Sequence, residues 1–226
     1  MLRCVKSTNG WQDPEHYEAY SWKLGTLRGE HVRQRRLQAV LQHLQKGVSL
    51  IDVGAGPATL SKDFPCHVVA CDLSVPMLVA AKRRVGEVVR SDAQYLPFRD
   101  KSLDVSFESS CLYLVTEKSL MIKEMERVAR KQVIIFESNR LSPRRVYEKY
   151  IKGVAVSPEH PSPREVMKYM SDAGLSPSLQ MVGFSPFMGG GLALRFWKPV
   201  EWFVERCPGI RSFAGGILAY ADLQER

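Results

Sequence analysis

No apolar run in this chain approaches the roughly eighteen residues of a membrane-spanning helix, so none is expected. The opening residues, MLRCVKSTNGWQD, lack the apolar stretch of a signal peptide, and a cytoplasmic location is the expectation. Cysteine is sparse and scattered (Cys4, Cys66, Cys71, Cys111 and Cys207), with no CxxC pair. That pattern argues against a zinc ribbon and for a reducing compartment. A Cys66–Cys71 bridge is conceivable, but free thiols are expected. His16, His31, His43, His67 and His160 show no pairing at metal-ligand spacing, and no metal site is expected. His160 sits in a proline-rich loop over the expected substrate mouth and is the one histidine to watch. No internal repeat or low-complexity tract interrupts the chain.

What is present is an ordinary globular composition. Of 226 residues, 45% are hydrophobic and 25% charged. One domain over 1–226 is expected, with a core at 48–137 and flanking cap segments at 1–47 and 138–213. The net charge is +8, and it is unevenly placed. Residues 1–47 hold eight Lys/Arg against four Asp/Glu, residues 138–170 seven against three, and the remainder balances. A basic rim in both flanking segments points to a polyanion, and RNA is the suspected partner. Arg33, Arg35, Arg36, Arg144, Arg145 and Lys149 are the candidate substrate-binding cations. No membrane partner is expected, and the oligomeric state is left open.

Apolar runs bounded by turn residues predict strands at 49–53, 66–71, 86–90, 102–107, 132–136, 178–182 and 217–221. Helical patterns lie between them, at 29–47, 58–63, 75–84, 118–129, 143–152 and 164–173. Asp13-Pro14 opens a further helix. Residues 184–211 form a long connection containing an aromatic helix with Phe196, Trp197, Trp202 and Phe203. The alternation predicts an α/β, doubly wound, mostly parallel seven-stranded sheet.

The densest signal is LIDVGAGPATLS at residues 50–61. Gly54 and Gly56 allow a sharp turn and close backbone approach. Asp72 closes VVACD twenty positions after Asp52, and Asp92 follows twenty later. A strand, a glycine turn and an acid about twenty residues on describe an adenosyl-binding α/β site. No Gly-Lys-Ser/Thr follows the turn, so a nucleoside-triphosphate loop is not expected. Ligands of such sheets bind at the carboxyl ends of the strands, which places Gly54, Asp72, Asp92 and residues 108–110 along one crevice.

These segments resemble class I S-adenosylmethionine (SAM) methyltransferases, of the group that includes ubiquinone and menaquinone C-methyltransferases. LIDVGAGPATLS is similar to that family's glycine motif, and VVACDLSVPML to its second-strand segment with the ribose acid. SDAQYLPFRDKSLDVSFESSCLYLV and EMERVARKQVIIFE are similar to the stretches through its fourth and fifth strands. The resemblance covers about residues 48–137. It departs at Ala58, where a third glycine is usual, at Tyr113, and at ARKQ before the fifth strand. It implies a Rossmann-like methyltransferase sheet with a helical N-terminal segment and an inserted cap, and SAM as cofactor.

By that resemblance Asp72 holds the ribose, while Asp92 and Ala93 meet the adenine. Asp52 orients the glycine loop or reaches the methionyl amine through water. Gly54, Ala55, Gly56 and Glu108 line the same site, and Leu73 and Met77 pack on the adenine or in the core. The acceptor must present a lone pair in line with the sulfur–methyl bond. Ser110 and Tyr113, after the fourth strand, are the candidate catalytic pair, the first accepting from an exocyclic amine and the second stacking on a base. An RNA-base methyltransferase, with cytidine N4 as the first acceptor to test, is the leading expectation. A small-molecule C-, N- or O-methyltransferase and a non-catalytic SAM-fold partner subunit are the alternatives.

Overall fold

The computed structural model describes residues 13–150, 160–183, 191–207 and 209–223. Seven strands form one sheet: β1 (Ser49–Val53), β2 (His67–Asp72), β3 (Glu87–Arg90), β4 (Leu103–Ser109), β5 (Ala129–Ser138), β6 (Ser178–Val182) and β7 (Gly216–Asp222). Their order is β3-β2-β1-β4-β5-β7-β6. Strands β1 to β5 run parallel, and β7 runs antiparallel to both β5 and β6. The order reverses between β1 and β4, where open α/β sheets take their ligands.

Side chains alternate between two cores because strand residues have a period of two. Ile51, Val53, Val133 and Ile135 pack with Met121, Ile122 and Met125 of α4 (Lys118–Val128) and with Val166 and Met170 of α6 (Pro163–Asp172). Leu50, Phe107, Ile134 and Phe136 pack on the opposite face with Leu37 and Val40 of α2 (Leu27–Leu41). Helix α3 (Val75–Val85) follows β2, and Asp13 caps the short α1 (Pro14–Tyr17). Helix α5 is Pro143–Tyr150 and α7 is Gly191–Arg206. Ser162 and Glu165 close a reciprocal cap on α6.

The largest differences from the sequence expectation lie in three elements. The helix expected at 58–63 is only a 3-10 turn, Ser61–Asp63. Ala58 sits at a φ of 56°, a left-handed value no helix accepts, and β2 begins at His67. Strand β5 runs to Ser138 rather than to residue 136, which adds Glu137 to the carboxyl end of the sheet. Helix α2 stops at Leu41 rather than near Gly47. Four cysteines, Cys66, Cys71, Cys111 and Cys207, are free. Among the described residues, no helix is long and apolar enough to cross a membrane.

Candidate active site

The glycine turn after β1 is tied to the end of β2. The Gly54 and Ala55 amides donate to the Cys71 carbonyl at 2.8 and 3.0 Å. The Gly56 amide donates to Asp72 Oδ2, and the Ser74 amide to Asp72 Oδ1, each at 2.8 Å. Burial raises the Asp72 pKa, while those backbone donors oppose the shift. Each carboxylate oxygen has two lone pairs, so both retain capacity for a ribose hydroxyl.

Gly54 lies at a φ of 68°. A Cβ there would come 2.2 Å from Cys111 Sγ, so the group that crowds this glycine is a side chain of the protein. Ala58 stands where the third glycine is usual, and it takes the left-handed conformation that a glycine would. Asp52 lies beneath the loop and accepts a hydrogen bond from Ser61 Oγ, which anchors the 3-10 turn. Burial, with the Asp72 charge adding, pushes the Asp52 pKa up to about 7. Asp92 accepts the Gln94 amide at 2.9 Å in a tight turn, with Ala93 half-buried beside it. Met77 is buried and Leu73 half-buried.

The N-terminal segment is fastened over this loop. Glu18 accepts two hydrogen bonds from Arg84, at 2.6 and 2.9 Å, and one from Thr59 Oγ1 at 2.6 Å. Tyr17 lies above Gly56, where a Cβ on that glycine would meet its ring edge at 3.6 Å. Burial raises the Tyr17 pKa to about 12. The following π-helical turn, Glu18–Trp22, rests on the first turn of α2 at Gly29. A Cβ at Gly29 would fall 2.1 Å from the Lys23 carbonyl, so only glycine lets the two backbones meet.

That contact sets Trp22 over Arg36. The Arg36 guanidinium lies 5.1 Å from the Trp22 ring and 4.9 Å from the Phe136 ring. It donates to Ser110 Oγ at 3.2 Å and to Ser138 Oγ at 2.9 Å, bridging the ends of β4 and β5. Burial lowers its pKa to about 10, so it remains charged at neutral pH. Glu108, fully buried, accepts the Cys111 and Leu112 amides at 2.9 and 3.3 Å. Burial and the neighbouring Glu137 raise its pKa well above the usual carboxylate range. Ser110 takes a φ of 60°, which turns the chain after β4. The Tyr113 ring packs against His160, with centroids 4.0 Å apart.

Ser110, Tyr113, Glu108 and Arg36 therefore converge, together with Glu137 and His160. Sequence reasoning passed over Glu137, Tyr17 and Trp22. Glu137 had a legible signal, since it closes the apolar run VIIF as Asp72 closes VVAC. Tyr17 and Trp22 had none beyond aromaticity.

The expected basic rim does not assemble from α2. Arg33 pairs with Asp63 at 2.5 Å and Glu30 at 3.3 Å. Arg35 pairs with Glu201 and Glu205 of α7. Arg144 and Arg145 are half-buried on α5, and the Lys149 side chain lies outside the described residues.

A methyltransferase domain model matches residues 51–136. A demethylmenaquinone methyltransferase of Paenarthrobacter aurescens is 35% identical over 54% of this chain and 53% of that protein. A probable tRNA methyltransferase 9B of Bos taurus is 28% identical over 42% of this chain and 21% of that protein. The chain thus spans about half the length of the first relative and less of the second. Among solved structures, a possible histamine N-methyltransferase of Thermotoga maritima aligns with a TM-score of 0.65 at 18% identity. That alignment covers 93% of this chain and 95% of the other, and it shows a shared fold. The residues around the glycine loop fit an adenosyl group with a positively charged methionyl tail: Asp52 and Asp72 lie against the turn, and the nearby Arg84 is paired with Glu18. Residues 51–136 thus match a methyltransferase domain, on a fold shared with S-adenosylmethionine-dependent methyltransferases, and S-adenosylmethionine is the cofactor that this domain implies.

Proposed function

We propose that the protein methylates a nitrogen or oxygen of a small, ring-bearing molecule held at the carboxyl ends of β4 and β5. The observation that carries this reading is the disposition of the α2 arginines. Arg33 and Arg35 are neutralised by carboxylates, and Arg36 is enclosed between aromatic rings. A polyanion would find little free positive charge on that helix. The demethylmenaquinone relatives, whose name denotes a small-molecule acceptor, support the small-molecule part of this reading and not its acceptor atom.

Bound SAM would supply an electrophilic methyl group on sulfonium. The chain's part is to hold the acceptor in line, exclude water and take up a proton. Gly54, Ala55, Gly56, Asp72, Asp92 and Ala93 would hold the cofactor. Ser110 and Tyr113 would place the acceptor ring, one by hydrogen bond and one by its face.

A second reading, methylation of an RNA base at an exocyclic nitrogen such as cytidine N4, has its own support. Helix α5 carries Arg144, Arg145 and Lys149, the chain carries +8, and Trp202 and Phe203 stand exposed on α7. Exposed aromatics beside basic residues suit unstacked bases. The free cysteines fit a cytoplasmic setting under either reading.

The deciding experiment incubates the protein with radiolabelled SAM, total RNA and a small-metabolite extract, then fractionates the products. Label in the low-mass fraction, indifferent to ionic strength, is the expected result. Ribonuclease-sensitive label that falls steeply with salt would establish the RNA reading instead.

A further inference from the structure

Methylating an N–H or O–H acceptor releases a proton, and most groups near the cluster are unsuited to take it. Burial raises the pKa of Tyr113 and of Cys111, so neither is an anion at neutral pH. Glu108 is tied to two backbone amides, and Asp52 to Ser61. Arg36 stays protonated.

His160 is different. It is 7% exposed and lies beside the end of β5. Its Nδ1 is buried with no hydrogen-bond partner, 3.8 Å from Oε2 of fully buried Glu137. Glu137 Oε1 is likewise buried without a partner. The Tyr113 ring, tilted 37° at a centroid distance of 4.0 Å, holds one face of the imidazole. The groups acting on it are Glu137 from β5, Arg36 from α2, Arg145 from α5 and Tyr113 after β4. Burial lowers its pKa, both arginines lower it further, and Glu137 opposes them. A neutral imidazole with a carboxylate 3.8 Å behind one nitrogen is a small side-chain shift away from the hydrogen-bonded pair of a general base.

We infer that His160 takes the acceptor's proton, with Glu137 steadying the imidazolium that results; this rests on the methyl-transfer reading above. The acceptor's X–H bond breaks and its proton passes to Nε2, on the far side of the ring from Glu137. The freed lone pair forms the X–methyl bond. The sulfur–methyl bond breaks, and its electron pair stays on sulfur as a thioether. His160 later returns the proton to water. Glu137 is a positioning residue in this scheme, because it acts through the imidazole.

The test uses the whole protein, radiolabelled SAM and the mixed metabolite and RNA extract as acceptor probe. His160→Ala should lower label transfer about 10²- to 10⁴-fold, the usual worth of a general base, while SAM affinity measured by calorimetry holds. Added imidazole should restore part of the lost rate, which a purely structural histidine would not allow. In the wild type, label transfer should rise with pH through the His160 pKa read by NMR, because only the neutral ring accepts a proton. Glu137→Gln should move that NMR pKa further down, and this readout needs no acceptor. His160→Ala transferring label at close to the wild-type rate, or an NMR pKa unmoved by Glu137→Gln, overturns the inference and leaves the methyl-transfer reading intact. Wild-type protein that binds SAM yet labels no fraction overturns both.

Discussion

Asp72 Oδ2 accepts the Gly56 amide at 2.8 Å, so the acid that closes β2 also shapes the glycine turn after β1. The ribose role proposed for Asp72 would therefore couple cofactor affinity to loop geometry through one side chain. Asp72→Ala should weaken SAM binding by about 10- to 150-fold, from the loss of roughly 1.5–3 kcal/mol of charge-assisted hydrogen bonding. The Tm should fall as well, because the Gly56 and Ser74 amides lose their acceptor. Calorimetry showing wild-type affinity in a folded Asp72→Ala protein would remove Asp72 from the ribose role.

Gly54→Ala should be among the most damaging single-methyl changes in the chain. The new Cβ would lie 2.2 Å from Cys111 Sγ and 2.5 Å from Cys111 Cβ, at a φ of 68°. A stability loss of about 2–4 kcal/mol is expected from overpacking and left-handed strain together. Cys111→Ala should not rescue it, since the alanine keeps the Cβ that clashes. A denaturant melt in which the double variant regains wild-type stability would show that the turn relaxes instead.

Ala58→Gly should be nearly neutral, within about 1 kcal/mol. Glycine removes the cost of a φ of 56°, roughly 1–2 kcal/mol, but loses a buried methyl and adds unfolded-state entropy. Ala58→Val should be far worse, because a β-branched residue is poorly tolerated there. Equal melting temperatures for the two variants would contradict the conformational account.

Arg36→Lys should not behave as a conservative change. Lysine lacks the planar fork that reaches both Ser110 and Ser138 while lying between Trp22 and Phe136. A loss of about 1–3 kcal/mol in stability is expected, with a higher acceptor KM and little change in SAM affinity. If SAM affinity falls as far as acceptor binding, Arg36 belongs to the cofactor half of the site.

The pH dependence of stability should carry the mark of Asp52. Its folded pKa is raised to about 7, mainly by burial, against an ordinary 3.8. Between those values the folded state binds more protons than the unfolded chain, so stability falls as pH rises from about 4 to about 7 and then levels. Glu108, raised in the same sense, adds to the slope. Thermal melts of the cofactor-free protein should therefore show a higher Tm near pH 5 than near pH 8, and Asp52→Asn should flatten part of the difference. Buried His160, with its lowered pKa, acts in the opposite sense over part of this range, so the test is the difference: a profile that Asp52→Asn leaves unchanged would mean that Asp52 is not shifted upward on folding.

The glycine turn and the acid that braces it were legible in the sequence for a physical reason. They lie on consecutive elements, β1, the glycine turn and β2, whose geometry follows from local residue type and from the mandatory parallel crossover. Asp52, Gly54, Gly56 and Asp72 could be named from spacing alone. The strands also followed from their apolar runs. The helix expected after the glycine turn did not, because Ala58 takes a left-handed φ that no pattern of apolar residues reveals.

The cluster at the carboxyl ends of β4 and β5 comes together only in three dimensions. Arg36, Glu108, Tyr113, Glu137 and His160 come from four separate stretches, and nothing in their spacing shows that they meet. Packing of α2 on the sheet turned Arg36 inward, while Arg33 and Arg35 turned to acids on other elements. Sequence gives the sum of charges, but whether a cation faces solvent, a carboxylate or an aromatic ring depends on helix rotation and neighbouring surfaces. The sequence determined an α/β domain of the methyltransferase kind; the tertiary structure decided which polar groups meet at the carboxyl ends of β4 and β5.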